Sequence, residues 1–366
     1  SRCGTLNEVQ GDNLIAVRPD SEHPTGKAMC LKGKAAPELV DNADRLRHPI
    51  RRTQPKGAAD PGWVQISWDE ALDEIAGRMA DIKSRSGAEA FAFGVTTPSG
   101  TPLSDSIDWI ERLIRRYGSP NTCYATEICN WHKDFAHMFT FGSGMPAADY
   151  AHAGLIMLWG HNPTNTWLAQ AHAIGEGRRV GAKLLVVDPR ETALAKQADV
   201  WLRVRPGSDA ALAMGIANLL LNKGGFDHCF VQTWSNAPAL VRCDNGRFLR
   251  ADDLGLKPGY ELLYWDSLRE EAAVLPRAEA GDVAMDYQNA TLRGRFQVRA
   301  KSGLIECQPV FELYAQACAA YTPKRTAELT WVGEEDLHQA ATLISEASSV
   351  AYHSWSGVGQ QSNATQ

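Results

Sequence analysis

Cys129 stands in the run Thr126-Glu127-Ile128-Cys129-Asn130-Trp131-His132. A lone cysteine in a large chain is most often a small apolar filler. This one has polar neighbours and a histidine close behind it, a setting that suits a thiolate acting as nucleophile or as ligand to a soft metal. His132 is a candidate proton donor beside it, with a hydrogen-bonded structural histidine as the plainer reading. Trp131 either shapes a substrate funnel or packs. A second group is Cys3 and Cys30, the latter followed by Lys32-Gly33. These lie in a segment poor in apolar runs, which needs something besides a core to order it. A metal cluster is one such device, and an arm laid over another domain is the other. Cubane iron–sulfur clusters are held by four cysteines, so Cys3 and Cys30 would be two of four. Lys32 would be a cationic neighbour of the cluster, or simply an exposed lysine.

A third set of residues follows short apolar runs: Gly160-His161-Asn162-Pro163, Asp188-Pro189-Arg190, Arg205-Pro206-Gly207-Ser208-Asp209 and Ser354-Trp355-Ser356-Gly357. Glycine lets a backbone approach a ligand closely. Helix N-termini favour phosphate, arginine pairs with it, and an aspartate accepts from a ribose or a purine. Shaping turns is the alternative task for Pro and Gly in any one of these loops. Four such loops in one chain point to a nucleotide-bearing cofactor. The site is not an ordinary dinucleotide fingerprint, because no G-x-G-x-x-G follows the first run. Asp188 also lies further from Gly160 than the roughly 20 residues usual for a ribose-binding acid.

The elements that must position these residues are legible from periodicity. Leu155–Trp159, Lys183–Val187 and Val200–Val204 are continuous apolar runs, as in strands covered on both faces. Helical patterns over Trp167–Arg178 and Ala210–Leu221 alternate with them. This order predicts a parallel α/β sheet, and open sheets of that kind bind ligands beyond the carboxyl ends of their strands. Upstream, Ser67-Trp68-Asp69-Glu70 is a capping-box signature. Leu72, Ile75, Ala76, Met79 and Ile82 then recur at helical spacing, which predicts a core-facing stripe. A second amphipathic helix runs through Ile107, Ile110, Leu113, Ile114 and Tyr117, after a short strand at 91–95. Residues 235–310 are predicted to be an irregular insertion with hairpins. Helices return at Phe311–Cys318 and Asp336–Ala347, before a last strand at Ser349–His353.

Composition removes several classes. The 366 residues carry 37 Lys+Arg against 43 Asp+Glu, with 44% hydrophobic residues. That is not a disordered composition. A net charge of -6 offers no basic face for nucleic acid. No apolar run approaches the roughly 18 residues of a membrane helix. Eight cysteines without a C-x-x-C pair suggest neither a disulfide scaffold nor a closed zinc site. Ser1 and the Gly-rich end around Gly357–Asn363 lead to the expectation of a portion of a longer chain, so targeting is left open.

Taken in order, these motifs resemble the molybdenum/tungsten bis-pterin-guanine-dinucleotide oxidoreductases of the dimethyl-sulfoxide-reductase superfamily. Cys3-Gly4 and Gly26-Lys27-Ala28-Met29-Cys30-Leu31-Lys32-Gly33 look like the third and fourth cysteines of that family's [4Fe-4S] motif. Asp44-Arg45-Leu46, Pro49-Ile50-Arg51-Arg52 and Ser67-Trp68-Asp69-Glu70-Ala71-Leu72 look like the stretches that follow it. The three loops after Trp159, Val187 and Val204 resemble its pterin-dinucleotide loops. The resemblance implies Cys129 as protein ligand to molybdenum or tungsten, and Lys32 as the basic residue between cluster and pterin. It implies Gly160, His161, Asn162, Asp188, Pro189, Arg190, Arg205, Gly207 and Asp209 at one dinucleotide. Gly357 and Gln360 would begin a further cofactor loop. The family's first two cluster cysteines and its C-terminal β-barrel domain have no counterpart here. The run Cys129-Asn130-Trp131-His132, with Asn236–Arg242, is similar to the branch containing acetylene hydratase and phenol hydroxytransferases.

The resemblance thus implies an α/β chain with an incomplete iron–sulfur-type loop and strand domain at 1–60. An α/β domain carrying Cys129 is expected at 61–150, a Rossmann-like dinucleotide-binding domain at 151–348 with its insertion at about 235–310, and the start of a returning α/β domain at 349–366. The expected activity is oxo, hydroxo or sulfur transfer to a small-molecule substrate, coupled to electron flow through a [4Fe-4S] cluster and a partner iron–sulfur subunit. The portion alone is expected to be inactive. A non-redox hydratase or hydroxyl transferase on the same cofactor is the alternative. A nucleotide-binding module, for which Cys129→Ala would leave all function intact, and a degenerate structural subunit complete the set.

Overall fold

The computed structural model describes residues 3–95, 107–124, 135–257, 259–275 and 289–361. Its centre is a four-stranded parallel sheet in the order β15-β7-β8-β9. The strands are β7 (Leu155–Trp159), β8 (Lys183–Val187), β9 (Val200–Leu202) and β15 (Val350–Ser354). The apolar runs predicted from sequence form the two inner strands, β7 and β8, residue for residue, and the edge strand β9 less its last two residues. Leu155, Ile156, Leu158, Leu184, Leu185 and Leu202 are fully buried. Burying each such side chain contributes about 1.5–3 kcal/mol. One face of the sheet packs Leu185, Val187 and Leu202 against Leu212, Ile216 and Leu337, while the other packs Ile156, Leu158 and Val186 against Ile174.

Chain order sets where a ligand goes. From β7 the chain passes through the Leu168–Arg179 helix to β8 and then β9 on one side. After a long excursion it returns to the opposite side of β7 as β15, with Ser354 level with Trp159. The direction of winding therefore reverses between β7 and β15, which is the switch point at which open α/β sheets form a crevice. The last strand shares its sheet with 155–202, so residues 349–361 and the preceding segment are hydrogen-bonded parts of one layer.

The excursion is more ordered than the sequence suggested. β10 (Leu240–Arg242), β14 (Gly303–Pro309) and β13 (Phe296–Ala300) form an antiparallel sheet, and β11 (Leu263–Asp266) pairs with β12 (Glu271–Val274) as a hairpin. Leu240, Leu249, Leu263, Val298, Ile305 and Cys307 make a core of their own. The chain then enters the helices Val310–Ala319, Pro323–Thr330 and Glu334–Glu346, the second of which periodicity did not reveal.

The N-terminal part is built from small pieces. β1 (Thr5–Gln10) and β2 (Asn13–Pro19) form a hairpin, and β3 (Ile50–Arg52) pairs with β4 (Trp63–Gln65). Ser67 caps the Trp68–Ser86 helix as predicted, with reciprocal Ser67 and Glu70 bonds. The expected core stripe on that helix is not found: none of its residues is buried, and Leu72 and Ile75 are more than half exposed. The pattern specifies a face wanting a cover, and among the described residues no layer lies over it. The Ile107–Tyr117 helix does bury Ile114 and Tyr117, whereas Leu113 stays exposed. β5 (Phe93–Val95) and β6 (Thr122–Tyr124) pair in parallel beside it.

Candidate functional site

The four strand-end loops meet over the carboxyl edge of the sheet. After β7, Gly160 adopts φ 59°, a left-handed conformation that favours glycine. Its amide donates to the Val187 carbonyl at 2.8 Å, tying the first loop to the second. Across the switch point it lies against Gly357: a Cβ on Gly357 would come within 2.8 Å of the Gly160 carbonyl oxygen. Two glycines back to back let the β7 and β15 loops close on each other. Trp355 donates its amide to the Trp159 carbonyl at 3.2 Å, fastening the same seam. The loop after β9 reaches back over the edge, where the Trp159 Nε1–H donates to Asp209 Oδ1 at 2.8 Å. Gly207 comes close to the Gln361 side chain, so the fourth loop reaches the third.

The charges at this edge are unevenly matched. Asp188 is buried and accepts from the Arg190 amide at 2.8 Å. Burial raises its pKa above the usual carboxylate value, the Arg190 backbone and guanidinium pull it down, and Asp209 adds a like charge. Burial also raises Asp209, with Trp159 opposing. Arg190 and Arg205 are exposed, and neither guanidinium has a carboxylate partner among the described residues. Two exposed cations without a carboxylate ion pair suit an anionic, phosphate-bearing ligand. The Thr164 hydroxyl donates to Asn162 Oδ1 at 2.7 Å. Pro189 is exposed at the rim, as are Gly357 and Gln360.

His161, expected to touch the cofactor, is 2% exposed and bonds through Nε2 to Gln170 Oε1 at 2.8 Å. Its Nδ1 has no partner among the described residues. Burial pushes its pKa down to about 4, partly offset by Gln170, so the ring is neutral near pH 7. It packs at 4.4 Å from the His353 ring, with Trp355 and Trp167 completing an aromatic cluster. Motif reading passed over His353 and Trp167. A histidine near the end of an otherwise apolar strand was the available signal.

Of the other predicted groups, Cys3, Cys30 and Lys32 lie in the N-terminal segment. Gly4 accepts from the Asp20 amide, and a Cβ on Gly26 would lie 3.1 Å from the Gly4 oxygen, so the residue after Cys3 abuts the turn leading to Cys30. Cys30 is exposed, and the backbone N–H of Gly33, with that of Lys32, holds its thiol pKa below the usual value against a small burial effect. Lys32 is exposed on the Leu31–Lys34 turn of helix. Among the described residues no group of three His, Cys, Asp or Glu could hold a metal ion. The segment is joined to the parallel sheet's layer by Lys27 Nζ and Glu176, 3.1 Å apart. Cys129, Trp131 and His132 lie outside the described residues.

Comparison with known proteins decides the family. The molybdopterin oxidoreductase family model matches residues 45–340. This chain belongs to that family. It is 33% identical over 238 residues to the acetylene hydratase of Syntrophotalea acetylenica, covering 63% of this chain and 32% of that protein. It is 27% identical over 367 residues to the perchlorate reductase subunit alpha of Dechloromonas aromatica, covering 92% of this chain and 38% of that protein. In fold it matches the solved acetylene hydratase from Pelobacter acetylenicus with a TM-score of 0.67 at 23% identity, covering 99% of this chain and 40% of that one. The chain thus spans between about a third and two-fifths of these relatives' lengths. Among the described residues no helix is long and apolar enough to cross a membrane.

Proposed function

We propose that this chain is the part of a molybdenum or tungsten bis-pterin-guanine-dinucleotide enzyme that carries one dinucleotide site and the protein ligand to the metal. The observation that supports this most is the meeting of four strand-end loops at a topological switch point, with glycines in contact and two exposed arginines, in a member of this family. When bound, the group supplies a metal that exchanges an oxo, hydroxo or sulfido ligand with substrate, and pterins that carry electrons. The residues present suit it. Gly160 and Gly357 keep side chains out of the crevice, Arg190 and Arg205 offer cations for a diphosphate, and Asp188 and Asp209 accept hydrogen bonds from base or ribose. Asn162, Gly207 and Gln360 line the same edge, and Pro189 stiffens its second loop. Buried His161 holds the floor from beneath.

Cys129 is proposed as the thiolate ligand to the metal, and His132 as a proton donor near it. Cys3 and Cys30 are proposed as two ligands of a [4Fe-4S] cluster, with Lys32 between cluster and pterin. On this reading a partner iron–sulfur subunit exchanges electrons with the cluster. The test is metal and nucleotide analysis of the full-length protein purified without oxygen. Near-stoichiometric molybdenum or tungsten with released guanine nucleotide is the expected result, and neither metal would overturn the proposal. Cys129→Ala should retain nucleotide while losing activity.

A second reading is hydration or hydroxyl transfer without net redox change, favoured by the 33% identity to a protein named acetylene hydratase. Turnover that proceeds with no added electron donor or acceptor would select it over the redox reading.

A further inference from the structure

The backbone holds one conspicuous exception beside the strand-end loops. Trp331 follows the Pro323–Thr330 helix at φ 64°, a left-handed conformation that glycine fills without strain and a bulky residue seldom adopts. Its neighbours Thr330 and Val332 are buried, whereas Trp331 is 70% exposed. No packing need of the core therefore explains a large ring at this point. The helix end is held to the site: the Arg205 amide donates to the Thr330 carbonyl at 2.8 Å, and the Arg205 guanidinium lies 5.6 Å from the centre of the Trp331 ring. A strained residue of high exposure, placed next to a ligand loop, is the pattern from which a functional role is argued.

We propose that Trp331 is a stacking wall for the planar base of the nucleotide bound at the strand-end loops, and that it keeps Arg205 beside that base's diphosphate. The inference rests on the nucleotide site of the preceding section and adds a recognition residue to it. An indole is a wide π surface, base stacking on it needs no particular hydrogen-bond pattern, and a guanidinium over the same ring is held by cation–π attraction. A glycine here would relieve the backbone and leave both base and arginine without a wall.

The test compares the cofactor-free wild-type chain with Trp331→Gly and Trp331→Phe, using guanosine 5′-diphosphate and pyrophosphate as probes in titration calorimetry. For Trp331→Gly we expect guanosine diphosphate to bind about tenfold more weakly, the scale of one base–aromatic contact. Pyrophosphate affinity should change much less, Tm should be unchanged or higher, and Trp331→Phe should restore most of the binding. Equal affinity of wild type and Trp331→Gly for guanosine diphosphate would overturn the assignment. So would a loss of binding accompanied by a fall in Tm, which would make Trp331 a structural residue. Failure of the wild type itself to bind either probe would instead overturn the nucleotide site, and this inference with it.

Discussion

Gly160 and Gly357 touch backbone to backbone where β7 and β15 part, so a Cβ on Gly357 would sit 2.8 Å from the Gly160 oxygen and 2.9 Å from its Cα. Both would-be neighbours are main-chain atoms and cannot rotate away. Gly357→Ala should therefore spread the two loops, at a cost of about 1–3 kcal/mol. Gly94→Ala is a useful control, because Gly94, like Gly357, has no positive φ, and nothing lies within 4 Å of its would-be Cβ. Urea unfolding should show Gly357→Ala as the more damaging change, together with lower nucleotide content in the purified protein. Equal stability loss with unchanged nucleotide would mean that the contact does not shape the site.

The buried His161 ring gives the fold a pH dependence of definite sign. Its folded pKa is pushed down to about 4 by burial, against about 6.5 in an unfolded chain. The stability it contributes is fully present above pH 6.5 and is lost as pH falls through the folded value. The full swing is about 3 kcal/mol by linkage. His353 and Gln170 face it, and Gln170 alone is too weak a partner to keep the proton on. His161→Gln should flatten the stability profile between pH 6.5 and 4. The measurement is chemical denaturation at half-unit steps, and an unchanged slope in the variant would assign the pH dependence to other groups.

Much of the parallel sheet was legible because strands buried on both faces, such as Leu155–Trp159 and Lys183–Val187, write their burial into unbroken apolar runs. The loops after them were legible because Gly, Pro, Asp and Arg crowd into few positions. His353, Trp167 and Trp331 were not, since each acquires its meaning only from a partner far away in sequence. The Trp68–Ser86 helix shows the opposite failure. Periodicity correctly found the helix and its cap, yet an apolar stripe records that a face is to be covered, not by what. Leu72 and Ile75 remain exposed within this chain. The insertion at 235–310 looked irregular because short antiparallel strands such as β10 offer too few residues for a period to show.

Asp199 gathers three donors at the edge of the sheet. Leu184 donates its amide to Oδ2 at 2.8 Å, Lys183 Nζ lies at 3.0 Å from Oδ1, and Arg178 pairs with the same carboxylate. Partial burial would raise its pKa, but the amide and the two cations outweigh that and hold it below the usual value. A depressed carboxylate contributes stability that is present above its unfolded pKa of about 3.9 and is lost as pH falls through the folded one. Asp199→Ala should cost about 1–3 kcal/mol at pH 7, most of it from the orphaned Leu184 amide. Asp199→Asn, which can still accept from that amide, should cost less. If the two variants were equally destabilised, the charge and not the hydrogen bond would be the dominant contribution.

Asp188 and Asp209 carry the opposite sign, and here stability and function should pull apart. Burial raises both pKa values, and the Asp209 charge adds to the rise at Asp188. For such a group the contribution to stability is fully present below about pH 3.9 and is lost as pH rises through the raised folded value. At neutral pH the cofactor-free fold therefore holds two charges it would be more stable without. Asn can keep the bond from the Arg190 amide, so Asp188→Asn should stabilise the cofactor-free chain at pH 8 and do so much less at pH 4.5. The same variant should weaken guanosine diphosphate binding, because a carboxylate accepts more strongly than an amide oxygen from a base or ribose. Denaturation at the two pH values, paired with nucleotide titration, checks both halves. A variant that is less stable at pH 8, or that binds nucleotide as well as the wild type, would remove Asp188 from the site.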